Sequence, residues 1–355
     1  MTENSSSRKI LIIRFSSLGD VLQSLSIPAK IKNQDSPFKS AEIHFLTRSD
    51  FKDLVEKNPN INKSFFFEKG SGVKGLWHLL RVLRKENYTF IYDAHNSTRS
   101  KVIKIFLWLT GIFLNLKNGL SVLTKSQNRL KRFLLFKLRR NYFEQPFSGQ
   151  RDFLEPLLDW GFDSQAPKTP VLFIPDRQFK IPRQIFSKNI SRPFITLAPM
   201  AAHPLKRWPL EYWQKLIVEN PRQFFVALGS ESERSELDQI KGENFLNLAG
   251  QLSIMESGAM ISLSSLLVSN DTGLMHIAEQ TGKECIALMG PAPFGFPSRP
   301  KTVILQKNLS CRPCSKHGQG PCVNSEFQKC LRDISVTEVS HVLNRIMNKQ
   351  AEVHL

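Results

Sequence analysis

The residues best suited to chemistry lie in one short stretch, Ser-Asn-Asp-Thr-Gly at positions 269–273. An apolar, strand-like run precedes it and a helical pattern follows at once, so its polar residues fall where a strand gives way to a helix. Free N–H groups and the positive end of the helix dipole favour a phosphate at such a point. Asp271 would repel phosphate and would instead accept hydrogen bonds from sugar hydroxyls, while Thr272 offers a donor and Gly273 allows close approach. The combination indicates a site for a nucleotide-sugar diphosphate.

Two other interpretations fit the same stretch. Asp271 or Thr272 could simply cap the helix, with His276 as an ordinary side chain of its first turn. Asp-Thr-Gly is also the motif of aspartic proteases, but those enzymes need two carboxylates that share a proton. Because the motif occurs once here and opens a helix, we set the protease aside; the capping alternative stays open.

A second stretch of the same kind lies near the start of the chain. The apolar run at residues 9–15 suits a strand buried in a parallel sheet, and the turn that ends at Asp20 leads into a helical pattern. A further predicted strand, residues 88–93, is followed by a polar cluster from Asp93 to Arg99. Open α/β sheets bind their ligands at such carboxyl ends of strands.

The elements that must position these residues alternate between strand and helix. Strand-like runs recur at residues 41–46 and 63–67, and a second series begins at 194–198 after a proline-rich stretch. This alternation is typical of doubly wound α/β domains. We therefore predict an α/β protein with the GT-B glycosyltransferase fold, in which two Rossmann-like domains face a central cleft. The expected division is an N-terminal domain at 1–165, a linker at 166–192 and a C-terminal domain at 193–355.

Length and composition fit this division. A chain of 355 residues, 41% of them hydrophobic, can form two cores. The longest apolar run, residues 105–114, falls short of the ~18 residues that a membrane span needs and suits a buried or interfacial helix. Since the first nine residues are polar, we expect no signal peptide and a cytoplasmic protein.

The charge of the chain is strongly positive and unevenly placed. There are 49 Lys and Arg against 31 Asp and Glu, a net charge of +18, and residues 99–140 contain eleven basic and no acidic residues. Leu and Phe at helical spacing within residues 129–140 predict a basic amphipathic helix. Such a region favours an anionic partner, namely nucleic acid, an anionic membrane surface or a substrate rich in phosphate and carboxylate. A solvated helix face is the alternative.

Six stretches, in this order, resemble glycosyltransferase family 9, the ADP-heptose:lipopolysaccharide heptosyltransferases and their relatives. They are residues 12–22, 92–100, 206–213, 247–250, 268–278 and 289–291. The resemblance implies an inverting transfer of heptose from ADP-heptose, held by the C-terminal domain, to a lipopolysaccharide inner-core acceptor at the cytoplasmic face of the inner membrane. The chain contains no Asp-x-Asp motif, which indicates a metal-independent reaction.

The resemblance also implies roles for individual residues. Asp20 would be the general base, and Lys206 would neutralise the leaving diphosphate. A helix cap is the other role open to Asp20, since a helix N-terminus lowers a carboxyl pKa and weakens the base. The implied donor-binding residues are Asp271 for the sugar, Thr272, Gly273 and His276 for the phosphates, Glu231 for the nucleoside, with Glu233 close enough to compete, and Leu252 for the base. The acceptor candidates are Ser17, Gly19, His95, Asn96, Arg99, Lys131, Arg132, Arg139 and Arg140, and the basic ones among them are also candidates for contact with the membrane.

Two features leave alternatives open. Where the family often has small hydroxyl residues before Lys206, this chain has Ala201 and Ala202, so another nucleotide-sugar donor is possible. Late in the chain, four cysteines fall at positions 311, 314, 322 and 330, which a zinc or iron–sulfur site could use. Their wide second spacing and a reducing cytoplasm favour free thiols, so we predict no metal and no cofactor.

A different class of function also accounts for some of these features. A nucleic-acid-binding protein with a cysteine metal site would explain the charge and the cysteines. It leaves both strand–turn–helix stretches unexplained. We therefore expect a nucleotide sugar and an anionic lipopolysaccharide precursor as partners, and no nucleic acid.

Overall fold

The computed structural model of the chain describes residues 8–113, 120–145, 147–189 and 193–353. The expectation of no signal peptide rests largely on residues 1–7, which lie outside this range, as do residue 114 of the apolar run and residues 190–192 of the predicted linker. The chain forms two compact units. The first comprises Met1–Asn128 and Gly149–Phe173, and the second comprises Arg129–Ser148 and Ile174–Leu355.

The strands are β1 Lys9–Ile13, β2 Glu42–Arg48, β3 Lys63–Phe67, β4 Phe90–Asp93, β5 Ser121–Thr124, β6 Phe194–Ala198, β7 Phe224–Ala227, β8 Phe245–Asn247, β9 Leu267–Asn270, β10 Cys285–Met289 and β11 Thr302–Gln306. The α-helices are α1 Leu18–Ser24, α2 Ser26–Ile31, α3 Lys52–Val55, α4 Gly72–Arg84, α5 Thr98–Phe113, α6 Arg129–Leu138, α7 Gly149–Leu154, α8 Lys180–Asn189, α9 Leu210–Glu219, α10 Arg234–Leu237, α11 Ile254–Leu263, α12 Gly273–Thr281, α13 Lys329–Arg332 and α14 Val336–Val353.

The first unit contains a five-stranded parallel sheet in the order β3-β2-β1-β4-β5. Its central strand, β1, is apolar and its inner residues are fully buried, as expected for a parallel strand with both faces covered. The chain first adds strands on one side of β1 and then returns to place β4 on the other side. The strand order therefore reverses between β1 and β4, which makes their carboxyl ends the switch point of this unit.

The second unit repeats this plan with six parallel strands in the order β11-β10-β9-β6-β7-β8. Its switch point lies between β6 and β9. Both strands are buried along their whole length, and the core beside them includes Trp208 and Trp213, packed edge to face with ring centroids 5.0 Å apart. The indole Nε1–H of Trp208 donates to the carbonyl of Ile334 over 2.9 Å, so this large ring is buried with its polar atom satisfied.

The predicted α/β architecture is confirmed, and so are the strand-to-helix transitions at both stretches. The segment Arg129–Ser148 departs from the expected division, because the sequence places it inside the first domain whereas its contacts group it with the second unit. Within it, α6 forms the predicted basic helix. No helix in the described part of the chain combines the length and apolarity needed to cross a membrane.

Candidate functional site

The switch point of the second unit joins a lysine and an aspartate. The loop after β6 ends at Lys206, and Asp271 follows β9 directly. The Nζ atom of Lys206 lies 2.6 Å from Oδ2 of Asp271, and the two side chains are 15% and 7% exposed. A partly desolvated ion pair of this kind is stronger than a surface pair and fixes the position of both charges.

Asn270 holds the two loops of this site together. Its Nδ2 donates to the carbonyl of Pro199 over 2.5 Å, and its Oδ1 accepts from the backbone N–H of Trp208 over 3.1 Å. The side chain is fully buried, so both bonds act in a low-dielectric setting. Sequence reasoning did not assign Asn270 a role, although a buried amide between an apolar strand and Asp271 is the kind of signal that could have found it.

The residues after Asp271 form a helix start without a side-chain cap. Thr272 occupies the N-cap position with extended backbone angles, but its side chain makes no cap hydrogen bond. Its hydroxyl lies 3.2 Å from that of Ser269 instead. The capping interpretation of Asp271 and Thr272 is therefore wrong for the described geometry, and the N–H groups of the first turn of α12 are left for another partner.

His276 is held by a buried carboxylate. Its Nδ1 lies 3.2 Å from Oε2 of Glu279, whose Oε1 accepts backbone N–H groups from Ser298 at 2.6 Å and Arg299 at 2.9 Å. These bonds fix the ring orientation, as a carboxylate partner does for functional histidines generally. Glu279 is a second residue that sequence reasoning missed, and its spacing of three from His276 was the available signal.

Two glycines permit close packing against the lysine–aspartate pair. Gly295 has a φ of +85° and a Cβ placed there would lie 3.3 Å from Oδ1 of Asp271. Gly318 has a φ of +80°, and a Cβ there would lie 2.7 Å from Cγ of Lys206. Both positions combine a left-handed backbone with little space, so a larger residue would press on the pair.

Glu231 and Glu233, which compete for one role in the sequence, have different surroundings. The carboxylate of Glu233 accepts the backbone N–H of Ser230 over 2.7 Å and closes a capping box. Glu231 is exposed and lies against Gly250, where a Cβ would come within 1.8 Å of its Oε2. Glu231 is therefore the glutamate whose carboxylate is accessible to a ligand. Leu252 lies half-buried on the turn that follows Gly250.

In the first unit, Asp20 is paired with Arg14. The Nη2 atom of Arg14 lies 2.5 Å from Oδ2 of Asp20, which also accepts from the backbone N–H and the hydroxyl of Ser17 at 3.2 and 3.0 Å. Desolvation acts to raise the pKa of the Asp20 carboxyl, but the charge of Arg14 and the bonds from Ser17 outweigh it and hold that pKa below its usual value. The side chain remains 40% exposed, so the helix-capping role coexists with access from solvent.

The polar cluster after β4 faces the same end of the first sheet. Asp93 accepts the backbone N–H groups of His95 and Asn96 at 3.1 and 2.7 Å and pairs with Lys104 at 2.9 Å. Burial and the nearby charge of Arg14 lower the pKa of His95 to about 4, so its ring is neutral at pH 7. This ring packs edge to face on Phe15 with centroids 5.5 Å apart. The unit therefore offers a neutral imidazole near the Asp20 carboxylate, whose charge contributes to the pKa of His95.

The nine acceptor candidates divide between the units. Ser17, Gly19, His95, Asn96 and Arg99 belong to the first, and Lys131, Arg132, Arg139 and Arg140 belong to the second. Arg99 lies over the ring of Phe67, 4.3 Å from its centroid. Arg132 lies 4.5 Å from the centroid of Phe294, and Nη1 of Arg139 donates to the carbonyl of Pro313 over 2.5 Å.

Arg132 of α6 and Lys206 both act electrostatically on His317. Burial lowers the pKa of His317, and the charges of Lys316, Lys206 and Arg132 lower it further. The cations that act on His317 thus come from three separate segments of the second unit. Their common field favours an anion at this end of the sheet.

Four cysteines of the second unit lie close together. Cys311, Cys314, Cys322 and Cys330 all line one small cavity. Burial raises the pKa of Cys314 and raises that of Cys330 to about 11, so both thiols are protonated at neutral pH. Although all four belong to the described residues, no three of their sulfur atoms lie within 4.8 Å of one another. Thiolate ligands would need to move before they could share one ion.

Within the described residues, one group brings potential metal-binding atoms that close together. It consists of Glu42, His44 and Glu86 in the first unit. Lys9 lies 3.3 Å from Glu42 and 3.2 Å from Glu86, and Lys63 lies 2.5 Å from Glu86. Since the lysines already neutralise both carboxylates, this group is an internal charge network that does not fit a cation.

Two doubly wound parallel α/β units with polar residues at each switch point are the architecture of the GT-B fold. A model of glycosyltransferase family 9 (heptosyltransferase) matches residues 76–321, more than half of the chain. The chain therefore belongs to this family.

Individual relatives agree with this assignment. The chain is 26% identical to lipopolysaccharide heptosyltransferase 2 of Salmonella typhimurium over 306 residues, which cover 80% of the chain and 83% of the relative. It is 29% identical to lipooligosaccharide heptosyltransferase 2 of Haemophilus influenzae over 302 residues, with coverage of 79% and 83%. The solved structure of Escherichia coli ADP-heptose LPS heptosyltransferase II aligns with a TM-score of 0.67 at 21% identity, covering 97% of this chain and 99% of that one.

Proposed function

We propose that this enzyme transfers heptose from ADP-heptose to a lipopolysaccharide inner-core acceptor, by an inverting and metal-independent mechanism. The observation that carries the proposal is the Lys206–Asp271 pair, 2.6 Å apart at the switch point of the second unit. A fixed cation beside a carboxylate matches the junction of a diphosphate and a sugar, because the diphosphate needs positive charge and sugar hydroxyls need an acceptor.

The second unit binds the donor in this proposal. The N–H groups at the start of α12, together with Thr272, Gly273 and His276, hold the phosphates, and Asp271 accepts from the sugar hydroxyls. Glu231 contacts the nucleoside, and Leu252 packs on the base. Lys206 takes over the neutralising role that a metal ion has in other glycosyltransferases, and the neighbouring cations around His317 add to the field that favours the diphosphate.

The first unit supplies the base. Asp20 removes the proton from the acceptor hydroxyl while its oxygen forms a bond to the anomeric carbon, and the bond from that carbon to the diphosphate breaks. The electron pair leaves with ADP, whose new charge Lys206 balances. Arg14 keeps Asp20 ionised before the reaction, and since Arg14 and Ser17 contact Oδ2, the proton is accepted by Oδ1.

The names of related proteins support the choice of substrates. Several relatives are lipopolysaccharide or lipooligosaccharide heptosyltransferases, and solved structures include E. coli heptosyltransferase WaaC with ADP and with ADP-2-deoxy-2-fluoro heptose. The basic acceptor candidates Arg99, Lys131, Arg132, Arg139 and Arg140 suit a phosphorylated, acidic core. We place the reaction at the cytoplasmic face of the inner membrane, where a lipid-anchored precursor would be available.

Thermal stability against a panel of nucleotides tests the donor assignment. Saturation at ~100 times the dissociation constant adds roughly 2.7 kcal/mol to the free energy of unfolding. We expect a shift with ADP, a larger one with ADP-heptose, and none with UDP, GDP or CDP. A preference for UDP or GDP would move the donor and point to Ala201 and Ala202, and no shift with any nucleotide would overturn the donor site.

A further inference from the structure

Helices α4 and α5 of the first unit pack together and leave a large apolar surface exposed. Trp77 and Trp108 are 49% and 50% exposed, unusual for residues of this size, and Ile105 is 58% exposed. We call this surface the α4–α5 face and define it by the exposed residues Val73, Trp77, Val102, Ile105, Trp108 and Leu109.

The spacing of these residues makes the face continuous. Val73 and Trp77 are four apart on α4, and Ile105 lies three from both Val102 and Trp108 on α5, so each set forms one stripe along its helix. The two stripes meet where the ring of Trp77 contacts that of Phe106, with centroids 5.9 Å apart. The inner sides of both helices, by contrast, pack into the core of the unit through Leu80 and Ile103.

The charges of the two helices all have one sign. Together α4 and α5 carry six Lys and Arg and no Asp or Glu. Lys74, Arg81 and Lys101 are exposed, and Arg81 lies 5.3 Å from the ring of Trp77. The apolar face is therefore bordered by cations that no acidic residue on these helices neutralises.

We propose that the α4–α5 face binds the surface of a membrane rich in anionic phospholipid. Tryptophan and aliphatic side chains insert at the level of the headgroups, and the bordering cations attract the lipid phosphates. A second copy of the chain is a poorer occupant, because pairing two such faces would bring like charges together.

This inference rests on the proposed function, because membrane binding through this face serves a reaction with a lipid-anchored acceptor. Helix α5 begins at Thr98, directly after the acceptor candidates His95 and Asn96. Binding through this face would hold that cluster next to a lipid-anchored acceptor. The surface differs from the basic helix α6, the sequence-based candidate for membrane contact, so the two can be tested against each other.

Tryptophan fluorescence gives a direct test on the full-length protein. The other three tryptophans, Trp160, Trp208 and Trp213, are buried, so a lipid-borne quencher reports on the α4–α5 face. We expect vesicles of phosphatidylethanolamine and phosphatidylglycerol that carry brominated acyl chains to quench and blue-shift the emission. Vesicles of phosphatidylcholine should bind at least about tenfold more weakly, and high salt should release the protein. Binding without quenching would overturn the proposal.

Variants locate the surface. The double variant Trp77→Ser and Trp108→Ser, and separately Lys74→Glu with Lys101→Glu, should each reduce vesicle binding by about tenfold or more. The matched control is Leu130→Ser with Phe133→Ser, which removes two exposed apolar residues from α6 and should leave binding intact. Loss of binding in the α6 control alone would assign the membrane to α6 and refute our choice.

Two further readouts separate the outcomes. If the protein dimerises without vesicles and the tryptophan variant abolishes the dimer, the occupant is a second copy and the proposal fails. Stabilisation by ADP-heptose should be the same in both α4–α5 variants as in the wild-type protein, because the donor residues lie in the second unit and α4 and α5 lie in the first. A failure of vesicle binding with intact donor binding would therefore reject this inference and leave the proposed function standing.

Discussion

The Nζ atom of Lys206 lies 2.6 Å from Oδ2 of Asp271, and the two residues come from loops that follow neighbouring strands, β6 and β9. Replacing Lys206 with Ala should lower kcat by roughly 10²- to 10³-fold, because a fixed cation that balances charge in the transition state is lost. Steady-state kinetics with ADP-heptose would measure this.

Lys307→Ala is the matched control. Lys307 lies 2.6 Å from Glu338 in the same unit, but both side chains are about one-third exposed. Such surface pairs contribute only ~0–1 kcal/mol to stability, so activity should stay within about twofold of wild type. Full activity in Lys206→Ala would contradict the proposed role.

The variant Asp271→Asn should distinguish recognition of the sugar from recognition of the phosphates. Removing the carboxylate charge takes away a repulsive neighbour of the diphosphate, so affinity for ADP should stay equal or increase. Affinity for ADP-heptose should fall by roughly tenfold, since a hydrogen bond to a charged acceptor contributes ~1.5–3 kcal/mol. Calorimetric titration with both ligands measures the two effects, and a parallel loss of ADP affinity would argue against sugar recognition by Asp271.

Arg14→Gln should shift the pH dependence of activity. A base works when deprotonated, so activity is retained above the pKa of Asp20 and lost as the pH falls through it. Because Arg14 and Ser17 hold that pKa below its usual value, the wild-type acid limb should lie below about pH 4. Without the cation, the desolvation of Asp20 is less opposed, so its pKa should increase and the acid limb of kcat/KM should move to higher pH. Arg14→Lys keeps the charge and should move it less; an unchanged limb in Arg14→Gln would mean that Asp20 is not the titrating base.

Glu231→Gln and Glu233→Gln should have opposite effects. Glu231 is exposed beside Gly250, so its substitution should weaken nucleotide binding with little change in stability. Glu233 closes a capping box, and its loss should lower the free energy of unfolding by about 0.5–1 kcal/mol while nucleotide affinity is kept. Thermal unfolding with and without ADP distinguishes the two effects. Weaker nucleotide binding in Glu233→Gln and lower stability in Glu231→Gln would mean that the two glutamates have each other's role.

Gly318→Ala and Gly320→Ala form a matched pair. The φ angles of Gly318 and Gly320 are +80° and +85°, so an alanine at either position costs roughly 1 kcal/mol in backbone strain. Only the Cβ at position 318 meets Lys206, whereas nothing lies within 4 Å at position 320. We therefore expect similar melting temperatures but a reduced kcat only in Gly318→Ala. Equal activity in the two variants would show that the loop leaves Lys206 undisturbed.

Much of the central architecture follows from the sequence, because buried parallel strands are continuous apolar runs. β1, β6 and β9 are of this kind, and so the sequence alone predicts where their carboxyl ends lie. β5, β8 and β11 were missed. Each is the outermost strand of its sheet and only partly buried, so the apolar pattern is weak.

From spacing alone, the candidate site was predictable only where it is local in sequence, and the roles of Asp20 and Lys206 came from the family resemblance. The run from Asp271 to His276 is a strand-to-helix transition that propensity and spacing reveal. The bonds from Asn270 to Pro199 and Trp208 join residues more than 60 positions apart, and no pattern in the sequence encodes them. The same holds for α6, which is grouped with the second unit and whose Phe136 contacts Phe294.

The division of the chain has a consequence for protein engineering. The polypeptide passes from one unit to the other three times, after Asn128, Ser148 and Phe173. A hybrid protein that takes each whole unit from a different family member therefore needs three crossovers instead of one. A junction in the proline-rich stretch alone would leave the segment with Phe136, Phe143 and Phe147 facing a Phe294 from the wrong parent. Three crossovers, which take two fragments from each parent, keep the aromatic cluster together with Phe294 of the same parent.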